Sequence, residues 1–300
     1  MAVGGVTNRK APSLPTVAFI GAGTVGTALA VRLSEKGYPV VAAASRTLAS
    51  AQALAARIEG CSAYASVEEA TKAADLVFIT TPDAAIGAVA AIVRWRAGQC
   101  VVHCSGVDSL DVLEPARQQG ALVGAFHPLQ SFASVEQALY NLPRSTFALE
   151  ASSPALLETL RAMALSLEGM PVVLGAGDKV LYHASAVIAC NYLVTLAKMA
   201  TDLWEKLGVP RQDAIKALLP LVQGTVNNLE QVGLPNCLTG PISRGDVSTV
   251  EKHLRALVQR APELLPAYQE LGKQTIPIAL AKGRLDLGKA RQLRELLEAR

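Results

Sequence analysis

Residues Thr16–Gly37, with the sequence TVAFIGAGTVGTALAVRLSEKG, decide the fold of this chain. A short apolar run leads into three glycines in G-x-G-x-x-G spacing, and an amphipathic pattern of helical period follows. When such a motif joins a strand to a helix, Gly21 permits the tight turn, Gly23 lets a pyrophosphate approach the backbone, and Gly26 lets the helix pack closely. The motif therefore predicts a dinucleotide-binding βα unit. The alternative is a glycine-rich turn without a ligand.

The composition narrows the class of protein. The 300 residues are enough for two domains of ordinary size. Because 51% of residues are hydrophobic but only 4% are aromatic, we expect a core of Ala, Val and Leu, as in a parallel sheet covered by helices. A net charge of +3 from scattered basic residues gives no reason to expect nucleic acid or a membrane as a partner. The five cysteines are odd in number and lack a C-x-x-C pair, which predicts free thiols in a cytoplasmic protein without a metal site.

Strand and helix patterns alternate in the first part of the chain and predict an α/β fold with an N-terminal doubly wound Rossmann domain. From Gly175 onward helical periodicity dominates, which predicts an all-α C-terminal domain. We therefore expect a flexible tail at 1–14, a Rossmann domain at 15–175 and a helical substrate-binding domain at 176–300. The most apolar helix, near Ala184–Ala200, is interrupted by Asn191 and Lys198, and is expected to be buried rather than to span a membrane.

The end of the second predicted strand bears on the choice between NADP and NAD. NAD enzymes usually have Asp or Glu there, whereas this chain has Ser45-Arg46-Thr47. Arg46 can pair with a 2′-phosphate, to which the two hydroxyls can donate, so NADP is favoured over NAD. The alternative is that Arg46 is a solvated surface residue. The full set of predicted cofactor-binding residues is Gly21, Ala22, Gly23, Thr24, Val25, Gly26, Ser45, Arg46, Thr47, Thr80, Thr81, Pro82 and Ser105.

Ligands of open α/β sheets lie beyond the carboxyl ends of the strands, and this rule selects Ser105 and His127. We expect His127 in a loop, where it can act as an acid or base or bind substrate. The alternative is a structural histidine in a turn. His103 falls within a strand and is predicted to be packed.

A second candidate cluster opens the helical region at Gly177–His183 (GDKVLYH). Asp178 is a plausible N-cap, which places Lys179 in the first turn and His183 on the same helix face. Asn191 is two turns further along. The positive end of the helix dipole lowers the pKa of Lys179, which suits it to exchange a proton with an alkoxide. The alternative is a solvent-facing lysine.

A third cluster is the glycine-rich polar segment Leu238–Glu251 (LTGPISRGDVSTVE). Ser248 and Glu251 fit a capping box, which explains both without a functional role. Arg244 has no part in such a cap, and it could bind a substrate carboxylate through a bidentate contact.

The chain resembles the 6-phosphogluconate dehydrogenase superfamily, in which a Rossmann domain precedes a helical domain. More closely, it resembles a subfamily of uncharacterised Rossmann-like oxidoreductases with a helical C-terminal domain of unknown function. The segments that carry the resemblance are FIGAGTVGTALA, HPLQSF, GDKVLYHASAVIACNYL and LTGPISRGDVSTVEKHL.

Neighbouring families in the superfamily imply roles for individual residues. β-Hydroxyacid dehydrogenases and ketopantoate reductases have a lysine that corresponds to Lys179, while His183 stands where they have Asn. Ketopantoate reductases also have a polar loop and a Glu that the region of Arg244 and Glu251 loosely resembles. Prephenate dehydrogenases have a Ser and a His-Pro at the ends of two strands, as Ser105 and His127 do here. The resemblance also implies a homodimer formed through the helical domains.

Together these features predict an NADP-dependent oxidoreductase that moves a hydride between the nicotinamide and a small carbonyl, hydroxy acid or imine in an interdomain cleft. The predicted catalytic residues are Lys179, His127 and His183, and the predicted substrate-binding residues are Ser105, Asn191, Arg244 and Glu251. Two alternatives stay open: a ketopantoate reductase, and a non-catalytic NADP-binding regulatory protein. The sequence leaves open whether a deazaflavin is a second redox partner.

Overall fold

The computed structural model describes residues 14–299, so that all but the last residue of the predicted tail lies outside the described residues. Eight strands form one sheet, and their bounds are β1 Val17–Ile20, β2 Val40–Ala44, β3 Ser62–Tyr64, β4 Leu76–Ile79, β5 Cys100–His103, β6 Leu122–Leu129, β7 Thr146–Ala151 and β8 Met170–Val173. The helices are α1 Thr24–Glu35, α2 Leu48–Ala55, α3 Val67–Lys72, α4 Asp83–Ile92, α5 Glu114–Arg117, α6 Val135–Asn141, α7 Pro154–Ser166, α8 Lys179–Ala186, α9 Tyr192–Lys206, α10 Arg211–Val232, α11 Val247–Arg260, α12 Leu265–Ala281 and α13 Leu287–Glu298.

The predicted fold class is confirmed: a Rossmann-like N-terminal region with a parallel sheet precedes a helical C-terminal region. The strand order is β3-β2-β1-β4-β5-β6-β7-β8, and the first six strands are parallel. β7 is antiparallel to β6, and β8 is parallel to β7. Since β1, β4 and β5 end at the same edge of the sheet, the loops that follow them lie together there.

Both faces of the sheet are covered, as the apolar strands require. One face carries four phenylalanines, Phe19, Phe78, Phe126 and Phe147, whose ring centroids follow one another at 4.7–5.7 Å. The opposite face packs small and branched residues of the strands, such as Ile79 and Val101, against Ile86 and Leu113 of the covering segments. All eight of these side chains are fully buried.

The structure corrects several local expectations. β6 continues to Leu129, so His127 lies within a strand rather than in a loop, because β7 pairs with it as far as Leu129 opposite Thr146. The sequence predicts one helix from Ser109 to about Gln119, whereas the structure has a short 3-10 turn, Leu110–Leu113, followed by the four-residue α5. The N-cap of the 3-10 turn is Ser109, and Pro115 lies in the first turn of α5.

Contacts within the chain divide it into two compact units between Cys190 and Asn191. The first unit therefore includes α8. The predicted boundary at Gly175 lies nearer the N-terminus, just after the last strand, β8. The second unit is helical, and its largest core packs α11, α12 and α13 around residues such as Val250, Ile276 and Leu293.

The apolar helix is continuous from Lys179 to Lys206, with a π-helical turn at Val187–Asn191. The expectation that it is buried is wrong: none of its most apolar 18-residue window is buried. By length and composition alone this helix is able to cross a membrane.

Candidate functional site

The glycine loop between β1 and α1 has the shape that the sequence predicts. Gly21 has φ +109°, and a Cβ there would lie 2.7 Å from the carbonyl carbon of Thr80. A Cβ on Gly26 would overlap the carbonyl oxygen of Gly21, so only glycine lets α1 pack against the loop. Gly23 is different, because a Cβ added there would meet no atom within 4 Å. Its open side is the place where a pyrophosphate would approach.

The N-terminus of α1 is free to bind an anion. Its N-cap is Gly23, which has no side chain to cap the helix. The first helical hydrogen bond is donated by the Thr27 N–H to the carbonyl of Gly23 (2.9 Å), so the N–H groups of Thr24, Val25 and Gly26 precede it. Such N–H groups, together with the helix dipole, form an anion site.

The loop after β4 supports the glycine loop. The Thr80 hydroxyl donates to the carbonyl of Gly21 (2.7 Å), which ties the two loops together. The Thr81 hydroxyl is buried and has no hydrogen-bond partner among residues 14–299, so it is a candidate for contact with a ligand. Pro82 is the exposed N-cap residue of α4. These positions are compatible with the predicted cofactor role.

The end of β2 places Arg46 beside the glycine loop. The Ala22 N–H donates to the Ser45 hydroxyl (3.4 Å), so the two loops are in contact. The Thr47 hydroxyl accepts from the Ser50 N–H (3.4 Å) and caps α2, which gives Thr47 a structural role. The Arg46 side chain is exposed and forms no ion pair or hydrogen bond with any residue from 14 to 299, so it is free to pair with a phosphate.

Lys179 is the central residue of the second cluster. It begins α8 but is only 2% exposed, and its Nζ donates to the carbonyl of Ser105 (2.7 Å) after β5. The alternative of a solvent-facing lysine is therefore excluded. Burial lowers the pKa of the Lys179 ammonium, while the nearby carboxylate of Glu150 opposes that shift. The N-cap position belongs to Asp178, but its carboxylate turns back to accept from the Gly175 N–H (3.1 Å).

Two histidines enclose the loop after β5. A Cβ on Gly106 would lie 2.7 Å from Nδ1 of His183 and 2.8 Å from Nε2 of His127, and the two rings are 6.2 Å apart. His127 Nδ1 is 2.9 Å from the Tyr182 hydroxyl. Burial, with the nearby Lys179 charge, lowers the pKa of His127 to about 4, so its ring is neutral at physiological pH. Burial raises the pKa of Tyr182 to about 12.

The hydroxyl of Ser105 is engaged within its own turn. It accepts from the N–H groups of Val107 (3.2 Å) and Asp108 (3.0 Å). Its proton is still available to a ligand, since a hydroxyl both donates and accepts. The structure thus brings Ser105, His127, Lys179 and His183 together.

The remaining predicted substrate-binding residues belong to the second unit, and their role stays a prediction. Asn191 and Arg244 are exposed, while Glu251 pairs with Arg255 (2.5 Å) on one face of α11. The capping box is wrong: the N-cap of α11 is Asp246, whose carboxylate accepts from the Thr249 N–H (3.0 Å).

Three further residues of the first unit join the site without having been predicted for it. Tyr182 is three residues after Lys179 and so shares its helix face, which is a signal that the sequence contains. His103 is buried as predicted, but its Nε2 has no partner among the described residues. Glu150 is a carboxylate inside the otherwise apolar β7, and its Oε1 is likewise buried without a partner there.

Comparison with known proteins agrees with this architecture. The model of a Rossmann-like domain matches residues 6–128, and that of a domain of unknown function (DUF2520) matches residues 145–275. The chain thus combines a Rossmann-like domain with a DUF2520 domain. No curated protein matches it.

Solved structures of similar fold span nearly the whole chain. A Bacteroides fragilis protein, to which NADP oxidoreductase activity is ascribed, is 26% identical over 88% of this chain and 98% of its own, with a TM-score of 0.69. A Thermotoga maritima protein is 26% identical over 89% of this chain and 100% of its own, with a TM-score of 0.71. An Aspergillus terreus reductive aminase in complex with NADPH and ethyl levulinate is 19% identical over 94% of this chain and 99% of its own, with a TM-score of 0.62. The last likeness is one of fold alone.

Proposed function

We propose that the protein is an NADP-dependent oxidoreductase that moves a hydride to or from a small carbonyl, hydroxy acid or imine. The observation that carries the proposal is a buried lysine at the sheet edge where the glycine loop lies. Cofactor binding alone has no use for Lys179, because the phosphates and ribose are met by the loops after β1 and β2. The NADP oxidoreductase activity ascribed to the Bacteroides fragilis protein and the NADPH bound to the Aspergillus terreus enzyme support the cofactor.

The residues present fit a dinucleotide. Gly23 and the N-terminus of α1 would hold its pyrophosphate, and Arg46 with Ser45 would hold a 2′-phosphate. The nicotinamide of the bound cofactor supplies or accepts the hydride. The chain itself acts on the proton.

In the reductive direction, the Lys179 ammonium gives a proton to the substrate oxygen or nitrogen as negative charge develops there, and becomes a neutral amine. In the oxidative direction the amine takes the proton back. Burial lowers the pKa of Lys179 toward the working pH, which favours proton exchange in both directions. His127, whose Nδ1 contacts the Tyr182 hydroxyl, and His183 would hydrogen-bond the substrate.

We further propose that the protein belongs to the 6-phosphogluconate dehydrogenase superfamily, acts in the cytoplasm, and is a homodimer. The dimer is supported by the apolar side chains that α10 leaves exposed, among them Leu219, Leu221 and Val232. Light scattering after gel filtration would give twice the chain mass of 31.4 kDa. A monomer at micromolar concentration would contradict the dimer without affecting the cofactor proposal.

The first test is a titration with NADPH and NADH, followed by nicotinamide fluorescence. We expect NADPH to bind more tightly, and Arg46→Ala to remove most of that preference. Arg57→Ala is the matched control, because Arg57 is also exposed but pairs with Glu136 (3.3 Å). If neither cofactor binds, the oxidoreductase proposal fails.

A panel of carbonyls, hydroxy acids and cyclic imines, with ketopantoate among them, then tests turnover. Lys179→Met should abolish turnover of any substrate found, with NADPH affinity retained. Undiminished turnover by this variant would remove Lys179 from the mechanism. Tight NADPH binding without turnover on the whole panel would instead support a regulatory protein.

A further inference from the structure

A row of three side chains crosses the sheet next to the turn at Ser105 that binds Lys179. His103 of β5 lies opposite Ala125 of β6, and Ala125 lies opposite Glu150 of β7. Residues that are directly paired across neighbouring strands point to the same face of the sheet. His103 and Glu150 therefore share one face, two strand spacings or about 10 Å apart. Alanine between them leaves room for polar atoms.

The two outer members of the row each have a buried polar atom without a partner among residues 14–299. Nδ1 of His103 accepts from the Ser105 N–H (3.2 Å), so its proton is on Nε2, and this donor is unsatisfied. On the other side of Ala125, Oε1 of Glu150 is an unsatisfied acceptor. Buried donors and acceptors are seldom left unpaired, because each then loses its hydrogen bonds to water without replacement.

Ser105 joins Lys179 to one end of the row, because its carbonyl accepts from Lys179 Nζ (2.7 Å) and its N–H donates to Nδ1 of His103 (3.2 Å). The charge of Lys179 is among the causes that lower the pKa of His103 and oppose the rise in the pKa of Glu150. All three side chains are buried, and the strand register with the contacts of Ser105 groups them into one polar cluster, in which no ion pair within 4.0 Å joins Lys179 to Glu150. Lys179 is held at its place by Ser105, two residues beyond His103.

Glu150 is the acidic group that acts most strongly on Lys179. The other titratable groups around this lysine are Asp83 of α4, His103 of β5, Cys104 and Asp108 after β5, His127 of β6, and Asp178 and His183 of α8. Three of them carry no charge at neutral pH, because burial lowers the pKa of His103 to about 3 and of His127 to about 4, and raises the pKa of Cys104 to about 12. Asp111 and Asp178 face Glu150 itself.

We propose that Glu150 is a positioning residue, which with His103 forms a buried polar cluster that keeps Lys179 protonated. A lysine buried among apolar groups loses its proton, and an opposing carboxylate prevents this. The inference deepens the proposed function, in which Lys179 supplies the proton. Its test needs neither cofactor nor substrate, so that the two proposals fail separately.

The test is the titration of Lys179 in protein labelled with ¹⁵N-lysine, followed by the Nζ resonance that is missing in Lys179→Met. Glu150→Gln should move the midpoint to lower pH, and Glu150→Asp should restore part of the shift. Asp108→Asn is the control, because Asp108 acts more weakly on Lys179, and it should produce a smaller shift. An unchanged midpoint in a folded Glu150→Gln protein would overturn the proposal.

Reciprocity gives a second test that holds even if Glu150→Gln does not fold. Coupled groups shift each other, so Lys179→Met should raise the pKa of Glu150. The carboxyl resonance of ¹³C-labelled Glu150 reports this directly. If that pKa is the same with and without Lys179, the two groups do not interact and the positioning role is refuted.

Discussion

Substitution of Gly106 by alanine tests whether the two histidines form a site around the loop after β5. The added Cβ would lie 2.7 Å from His183 Nδ1, 2.8 Å from His127 Nε2 and 3.1 Å from His127 Cε1. Optimal contacts between non-bonded atoms lie at about 3.5–4.0 Å, so each ring must withdraw by about 1 Å. No backbone atom is among these neighbours, so the change displaces the histidines rather than the fold.

The magnitude follows from the cost of overpacking, which is about 1–3 kcal/mol. In a unit of this size each kcal/mol corresponds to about 2–4 °C, so the melting temperature should fall by about 2–12 °C. A displacement of about 1 Å at a reacting group can cost about 10²-fold in rate. NADPH affinity should change much less than the rate, because the atoms nearest the added Cβ belong to the two histidines and not to the glycine loop after β1.

The assay combines thermal unfolding with ¹⁵N-histidine spectra, in which the His127 and His183 resonances should move. Gly87→Ala is the control, because Gly87 lies within α4 and its Cβ would meet Val112 at an ordinary 3.5 Å. That change should stabilise the helix by about 0.5–1 kcal/mol. If Gly106→Ala left both histidine resonances and the melting temperature unchanged, the proposed packing around Gly106 would be refuted.

Three further predictions concern other parts of the first unit. Gly23→Ala should leave the free energy of unfolding within about 1 kcal/mol but weaken NADPH binding in the fluorescence titration, whereas Gly26→Ala, which overlaps the Gly21 carbonyl, should lower the melting temperature. Exposed Cys190 should react with a thiol reagent at pH 8 much faster than half-buried Cys104, whose pKa burial raises to about 12. Peptide mapping distinguishes the two. Burial lowers the pKa of His103 from 6.5 to about 3, so the unfolded chain binds a proton at a higher pH than the folded chain does. The free energy of unfolding therefore has its full value above about pH 6.5 and decreases as the pH falls toward 3. In denaturant titrations across that range, His103→Gln should show a weaker pH dependence of the free energy of unfolding, and an equal dependence would show that His103 is not buried in its neutral form.

Much of the α/β region could be predicted from the sequence because its signals are local. The glycine spacing after Val17–Ile20 determines the turn, and each apolar run before Ser45, Thr80 and Ser105 is a strand in the structure. The sequence pattern overestimates the length of the helix at α5. Glu114 and its neighbours have helical propensity, but the segment begins as a 3-10 turn. Propensity over so few residues is readily overridden by tertiary contacts.

The exposure of the long helix could not be predicted in the same way. Its apolar residues at Ala184–Ala200 give the pattern of a core helix, but an identical pattern suits a surface that a second copy covers. Hydropathy measures the preference of a segment for a dry environment and does not specify which molecule provides it. The distinction depends on partners, which are absent from a single sequence.

The composition of the cluster around Lys179 depends on strand register, a long-range property. If β6 ended before His127, as the expectation of a loop there requires, the orientation of His127 would be undetermined. The antiparallel pairing with β7 extends β6 and fixes alternation along it, so that Ala125 and His127 point to the same face. The same register brings Glu150 opposite Ala125. A shift of one residue would turn Glu150 to the phenylalanine face, where its charge would meet Phe126 and no polar group of the cluster. The antiparallel strand β7 thus supplies Glu150, the one carboxylate in the row of His103, Ala125 and Glu150. For this reason a strand outside the parallel part of the sheet contributes to the candidate site.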